Sequence, residues 1–173
     1  MTPRFSLRIL ATLFVLSLMI CSQLTAQETK PAAVNPLEPI EFLVGDWHAT
    51  AAPPNAKPTQ IDNHIYWSET HTAICFVTRF NGQPHYFGMY AYDPGMKQIA
   101  FWYVDTDGNS TQGTARAKGK RLIQEFTSSH ADGKKESLRS FIDRMADDNS
   151  YHWQVLREGM AEPLIQLEYT RVK

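Results

Sequence analysis

The sequence predicts an all-β protein, an antiparallel up-and-down meander of about ten strands closed into a barrel. Three observations predict it. Turn residues punctuate the chain at intervals of about 10–16 residues, which suits one strand per interval. The intervals are rich in aromatic and β-branched residues. No internal run has the length and 3.6-residue period of a sizeable helix. Closure is expected because a long open meander would leave its edges unpaired. Ten strands also enclose more space than side chains alone easily fill, since about eight sit near that limit.

Residues 1–26 read as a secretory signal peptide. Arg4 and Arg8 form a positive head, and residues 9–21 are apolar apart from Thr12 and Ser17. At about 13 residues that run is too short to span a bilayer, which takes ~20. Ala26 offers a small residue for cleavage, placing the mature start near Gln27. A membrane anchor and a lipoprotein are the competing readings. In Leu18-Met19-Ile20-Cys21, isoleucine occupies the place where lipidation wants a small residue. The protein is therefore expected to be exported, periplasmic or secreted, with no integral membrane segment once the signal is removed. Residues 27–36 read as a flexible tether, residues 37–43 as a short helical turn, and 37–173 as one barrel domain. Strands are expected at 44–51, 59–68, 71–80, 85–92, 97–105, 110–117, 121–128, 134–145, 150–157 and 163–172. Asn81-Gly82 is the strongest hairpin signal, because both central residues of a type I′ turn need positive φ.

Composition narrows the function. With 17 basic and 18 acidic residues, 20% charged and 43% hydrophobic, the chain has a globular balance and no charge excess to attract nucleic acid. Losing residues 1–26 leaves a net charge of about −3. It also leaves Cys75 alone, so no intrachain disulfide forms. Cys75 lies in an apolar run and reads as a buried, inert thiol.

Alternation assigns faces. In the last strand Ile165, Leu167, Tyr169 and Arg171 share one face, expected inward. In the strand before it, Tyr151, Trp153, Val155 and Arg157 oppose His152, Gln154 and Leu156. The strands around residues 85–105 are apolar on both faces. Tyr86, Tyr90, Tyr92 and Trp102 are grouped on one, and Phe87, Met89, Phe101 and Tyr103 on the other. One group should line the interior, and the other should form a patch under the N-terminal segment or for a partner.

At Phe42-Leu43-Val44-Gly45-Asp46-Trp47, a Gly-x-Trp opens the first strand just after a short helical turn. This resembles the calycin signature of lipocalins, and more closely the start of lipocalin-like and nitrobindin-like barrels. It also resembles a large, mostly bacterial family of unknown function. In that family the Gly-x-Trp is followed by a Gly-x-x-x-Tyr-Asp turn and a Trp-containing strand ending in Asp. Here these are Gly88-Met89-Tyr90-Ala91-Tyr92-Asp93 and Phe101-Trp102-Tyr103-Val104-Asp105, with a closing Tyr169-Thr170-Arg171. The resemblance spans about residues 37–172 and implies a calycin-like barrel with an internal cavity, usually with no assigned activity. Gly45, Trp47 and Arg171 are the expected closure residues. Gly45 would let the backbone of another element approach, Trp47 would plug the floor, and Arg171 would stack on it.

Standard catalytic motifs are absent, and no catalytic residue is assigned. Asp105-Thr106-Asp107-Gly108-Asn109 resembles half a calcium loop, but Ser110 and Arg116 occupy the positions that need Gly and Glu, so it reads as a β-turn. The six histidines are scattered singly and read as surface groups, and no metal site is assigned. His64 and His71 flank one turn and are expected to approach each other. The nitrobindin resemblance implies haem held by a histidine near the C-terminal end. Residues 164–172 contain none, and His152 points away from the Trp153 face, so no cofactor is expected. The expected activity is binding of a small apolar or anionic amphipathic ligand by Tyr86, Tyr90, Trp102, Tyr151, Trp153 and Arg157. Arg157 would neutralise an acidic head, with Arg79, Arg139 and Arg144 as alternatives. A cavity enzyme, an isomerase or hydrolase, is a second expectation. An interaction module or homodimer using the exposed aromatic face is a third.

Overall fold

The computed structural model describes residues 35–52 and 57–173. The expected signal peptide, and the expected tether up to residue 34, lie outside the described residues. The tether's last two residues are ordered as a turn, with Asn35 Oδ1 accepting from Leu37 N at 3.0 Å.

That turn leads into a 3-10 helix, Glu38–Leu43. Three residues per turn stack positions i and i+3 on one edge. Leu37, Ile40 and Leu43 fall on that edge, and each is almost wholly buried. The helix is therefore a plug with one apolar edge, started by Pro39 in its first turn.

Ten strands follow: β1 Gly45–Ala51, β2 Thr59–Trp67, β3 Ala73–Phe80, β4 Gln83–Asp93, β5 Gln98–Asp105, β6 Ser110–Lys118, β7 Arg121–Ser129, β8 Lys135–Arg144, β9 Ser150–Arg157 and β10 Ile165–Arg171. Every boundary lies within two residues of its expected place. Each strand pairs antiparallel with its neighbour in sequence, and β10 returns to pair with β1. The meander is thus a closed barrel with no free edge among the described strands. Turn chemistry sets the hairpins. Asn81 (φ 50°) and Gly82 (φ 81°) are both left-handed, so Phe80 pairs directly with Gln83.

Alternation runs through the barrel. In β10, Leu167 and Tyr169 are buried while Gln166, Glu168 and Thr170 are exposed. The seam between β1 and β10 is narrow, with only Trp47↔Arg171 and His48↔Thr170 in register. The first end of the barrel carries the 3-10 helix and the starts of β1, β3, β5, β7 and β9. The opposite end, the mouth, carries the starts of the even-numbered strands. Among the described residues no helix is long and apolar enough to cross a membrane.

Candidate functional site

The floor of the barrel is built around Trp47. Its ring is buried, and its Nε1 donates to Leu43 O at 2.7 Å, tying the first strand to the plug helix. Tyr151 packs edge-on against it at 4.7 Å, and Tyr169 stacks on Tyr151 at 4.8 Å. The Arg171 guanidinium lies over the Trp47 ring, 4.1 Å from its centre. The same group donates to Val44 O at 2.8 Å and Phe42 O at 3.1 Å. Gly45 is needed for this, though its neighbour is a side chain and not the backbone expected. A Cβ at Gly45 would sit 2.2 Å from Arg171 Nη1, and its φ of +137° is strained for other residues.

Above the floor lies a cavity of about 610 Å³. That falls within the ~300–1,000 Å³ of small-molecule sites. Its wall is mostly apolar and aromatic, with Phe76, Phe101, Phe126, Trp153 and Leu167 among the lining side chains. Of the expected ligand residues, Tyr86, Tyr90, Tyr151 and Trp153 line it. Trp102 does not. It is 40% exposed on the outside of the barrel, beside Phe87 at 42%. The reason is register. Asp93 pairs with Gln98 across the β4–β5 turn, so Tyr90 faces Phe101 and Gly88 faces Tyr103. Phe101 and Tyr103 therefore share the inner face with the β4 tyrosines, and Trp102 belongs with Met89 outside. Cys75 pairs with Met89 on that same outer face and is half-buried, not fully buried as expected.

Arg157 also departs from expectation. It ends β9 at the mouth, outside the cavity lining, and its guanidinium is paired with Glu136. The alternatives are no freer inside. Arg139 pairs with Glu125 and Arg144 with Asp148, and neither they nor Arg79 line the cavity. Among the described residues the lining contains no Lys or Arg. Its ionisable groups other than tyrosine are Asp105, His130 and Glu136 at the mouth.

A belt of polar side chains crosses the apolar wall. Thr78 Oγ1 donates to Asn63 Oδ1. Ser140 Oγ donates to Gln124 Oε1, and Gln124 Nε2 donates to Tyr90 Oη at 2.9 Å. The Thr111 and Ser128 hydroxyls are 3.1 Å apart. Sequence reasoning missed this belt, although its signal is present. Asn63, Thr78, Gln124 and Ser140 each sit between two apolar residues at i−2 and i+2 on an inward face. Burial pushes the Tyr86 hydroxyl up to about 12, with Tyr103, Asp105 and Asp107 adding to the effect. Burial also raises Tyr90 above the usual phenol range, against the opposing Gln124 bond. It raises Tyr169 as well, with Tyr86 adding to it. All three are therefore neutral donors at physiological pH.

The histidines lie elsewhere. His64 pairs with Asp46 and His48 with Asp62, cross-strand on the outside of β1–β2. His64 stacks on Tyr66 and His71 lies against Trp67, so the two do not form a joint site. His152 lies outside, 3.4 Å from Glu168. Among the described residues one trio could converge on a cation: His85, Asp105 and Asp107 at the mouth. Both Asp105 oxygens are already engaged by Asn109 and the Asp107 amide, as in an Asx-type turn. Burial raises the Asp105 carboxyl, but the Asn109 and Asp107 hydrogen bonds and the nearby His85 outweigh it and hold the pKa low.

No family model and no curated protein matches this chain. Among solved structures it is similar to the crystal structure of Rv2717c from M. tuberculosis, with a TM-score of 0.55 and 13% identity, over 82% of this chain and 100% of that one. At that identity the likeness is one of fold alone.

Proposed function

We propose that this is an exported binding protein that holds one small, apolar, uncharged molecule inside the barrel. The observation that carries the reading is the cavity of about 610 Å³ with an aromatic wall. The export half rests on the character of residues 1–26. The anionic head allowed for in the sequence loses its support, because Arg157 is committed to Glu136 and the mouth carries Asp105 beside it. A carboxylate ligand would meet like charge there. The reading is tested by native mass spectrometry of protein purified from its exported fraction, and by titration with the neutral fluorescent probe N-phenyl-1-naphthylamine. The expected result is a released small molecule or saturable one-to-one probe binding. Bare protein that also takes up no probe overturns it.

A second reading is favoured by one observation. Phe87 and Trp102 are exposed on the outside of β4 and β5, where Trp102 pairs across with Met89 and Phe87 lies two residues from Met89 along β4. An apolar patch of this kind suits contact with another protein surface. A concentration-dependent dimer in light scattering, lost in Trp102→Glu, supports it, and a strict monomer rules it out.

A further inference from the structure

The cavity is rich in phenolic hydroxyls. Five tyrosines line it: Tyr86, Tyr90, Tyr103, Tyr151 and Tyr169. Several of the wall's acceptors already take a bond within the protein. Asn63 Oδ1 takes the Thr78 proton, Gln124 Oε1 takes the Ser140 proton, and Asp105 is engaged by Asn109 and Asp107. Glu136 is engaged by Arg157. The donors are not used to the same extent. Tyr90 Oη accepts from Gln124 Nε2, which leaves its own O–H proton free to point into the cavity. Tyr86 and Tyr169 also line the cavity, and among the described residues neither hydroxyl is hydrogen-bonded to another side chain. The phenolic protons of the wall are therefore donors available to a ligand.

A donor open to the cavity loses its water when a ligand fills the space, so a ligand that supplies an acceptor is selected over one that does not. Ion pairing does not supply the complement, because among the described residues no Lys or Arg lines the cavity and carboxylates stand at its mouth. We infer that the ligand is a neutral molecule with a flat or apolar body and one or more carbonyl-type oxygens, read by the free hydroxyl protons of Tyr86, Tyr90 and Tyr169. This rests on the binding reading above and adds the ligand's chemical class to it. The three residues come from β4 and β10, so the acceptor oxygens would lie across the lumen with the body packed on Phe76, Phe101 and Phe126.

The test uses two probes of nearly one shape, 9-fluorenone and fluorene, which differ by a carbonyl in place of a methylene. Both are titrated into the full-length mature protein and into Tyr90→Phe, Tyr169→Phe and the double variant, each first checked for a native circular dichroism spectrum. Wild type is expected to prefer the ketone by about fivefold or more, the ratio one neutral hydrogen bond gives. The preference should shrink stepwise in the variants while fluorene affinity stays constant. Equal affinity of wild type for both probes, or a preference that survives Tyr86→Phe added to the double variant, overturns the inference and leaves the binding reading intact. Failure of either probe to bind, together with bare protein and no uptake of N-phenyl-1-naphthylamine, overturns both.

Discussion

Replacing Arg171 with methionine should lower the melting temperature by about 9 °C, and the structure gives the arithmetic. The guanidinium bonds two backbone carbonyls, Val44 O at 2.8 Å and Phe42 O at 3.1 Å. Charge-assisted bonds contribute about 1.5–3 kcal/mol each. Both carbonyls belong to half-buried residues that water can partly reach in the variant, so about 1 kcal/mol each is a better figure. The stacking on Trp47 at 4.1 Å adds about 1 kcal/mol. The total is about 3 kcal/mol, and at this domain size each kcal/mol moves the midpoint by about 3 °C. Arg171→Lys keeps the charge but has no planar fork to bridge both carbonyls and lie flat on the indole. It should lose about half as much, a drop of about 4–5 °C. Scanning calorimetry of wild type and both variants is the assay. If Arg171→Met melts within about 1 °C of wild type, the seam is not held by this side chain and the reasoning fails.

Gln124→Leu leaves Tyr90 Oη and Ser140 Oγ without their buried partner. It should cost about 2 kcal/mol in urea denaturation, and a neutral result would show that the belt is not structural. Stability should also fall in alkali. Tyr86, Tyr90 and Tyr169 have folded-state pKa values raised above the ordinary phenol value of 10.0. Their contribution is complete below about pH 10 and is lost as the pH rises through the folded-state values. Denaturation midpoints at about pH 9 and pH 11 measure it, and equal midpoints refute it. Glu136→Gln frees Arg157 at the mouth. Because the pair is partly exposed at the rim, at 47% and 26%, stability should change by about 1 kcal/mol or less. Affinity for an anionic probe such as a fatty acid should rise above that of wild type. Unchanged affinity in a direct titration would show that the pair does not set the ligand's charge.

The strands were legible because their ends are written in turn residues. Asn81-Gly82 fixes a two-residue hairpin by conformation alone, and the adjoining strands follow from it. The faces of β4 and β5 were not legible. Alternation identifies a face only when one set of positions is polar, and here both sets are aromatic. The phase between them is set by the length of the turn from Asp93 to Gln98, which alternation does not contain. Trp102 was assigned inward for that reason. Arg157 has the inward phase of Tyr151, Trp153 and Val155, but it ends its strand. There a long side chain can swing to the rim and meet Glu136, 21 residues away in sequence. The polar belt could have been read. An asparagine between Ile61 and Ile65, or a glutamine between Leu122 and Phe126, signals a hydrogen-bonded group facing inward.

The narrow seam also dictates an order of events in time. Arg171 and the Val44 carbonyl it holds are 127 residues apart, and every other strand lies between them. Until β10 has been made, β1 and β9 are open edges, so a nascent chain cannot lock the barrel however much of it has emerged. Contacts of such long sequence separation also form slowly. A chain of this design commits to its shape late, once its last strand is available to pair with its first.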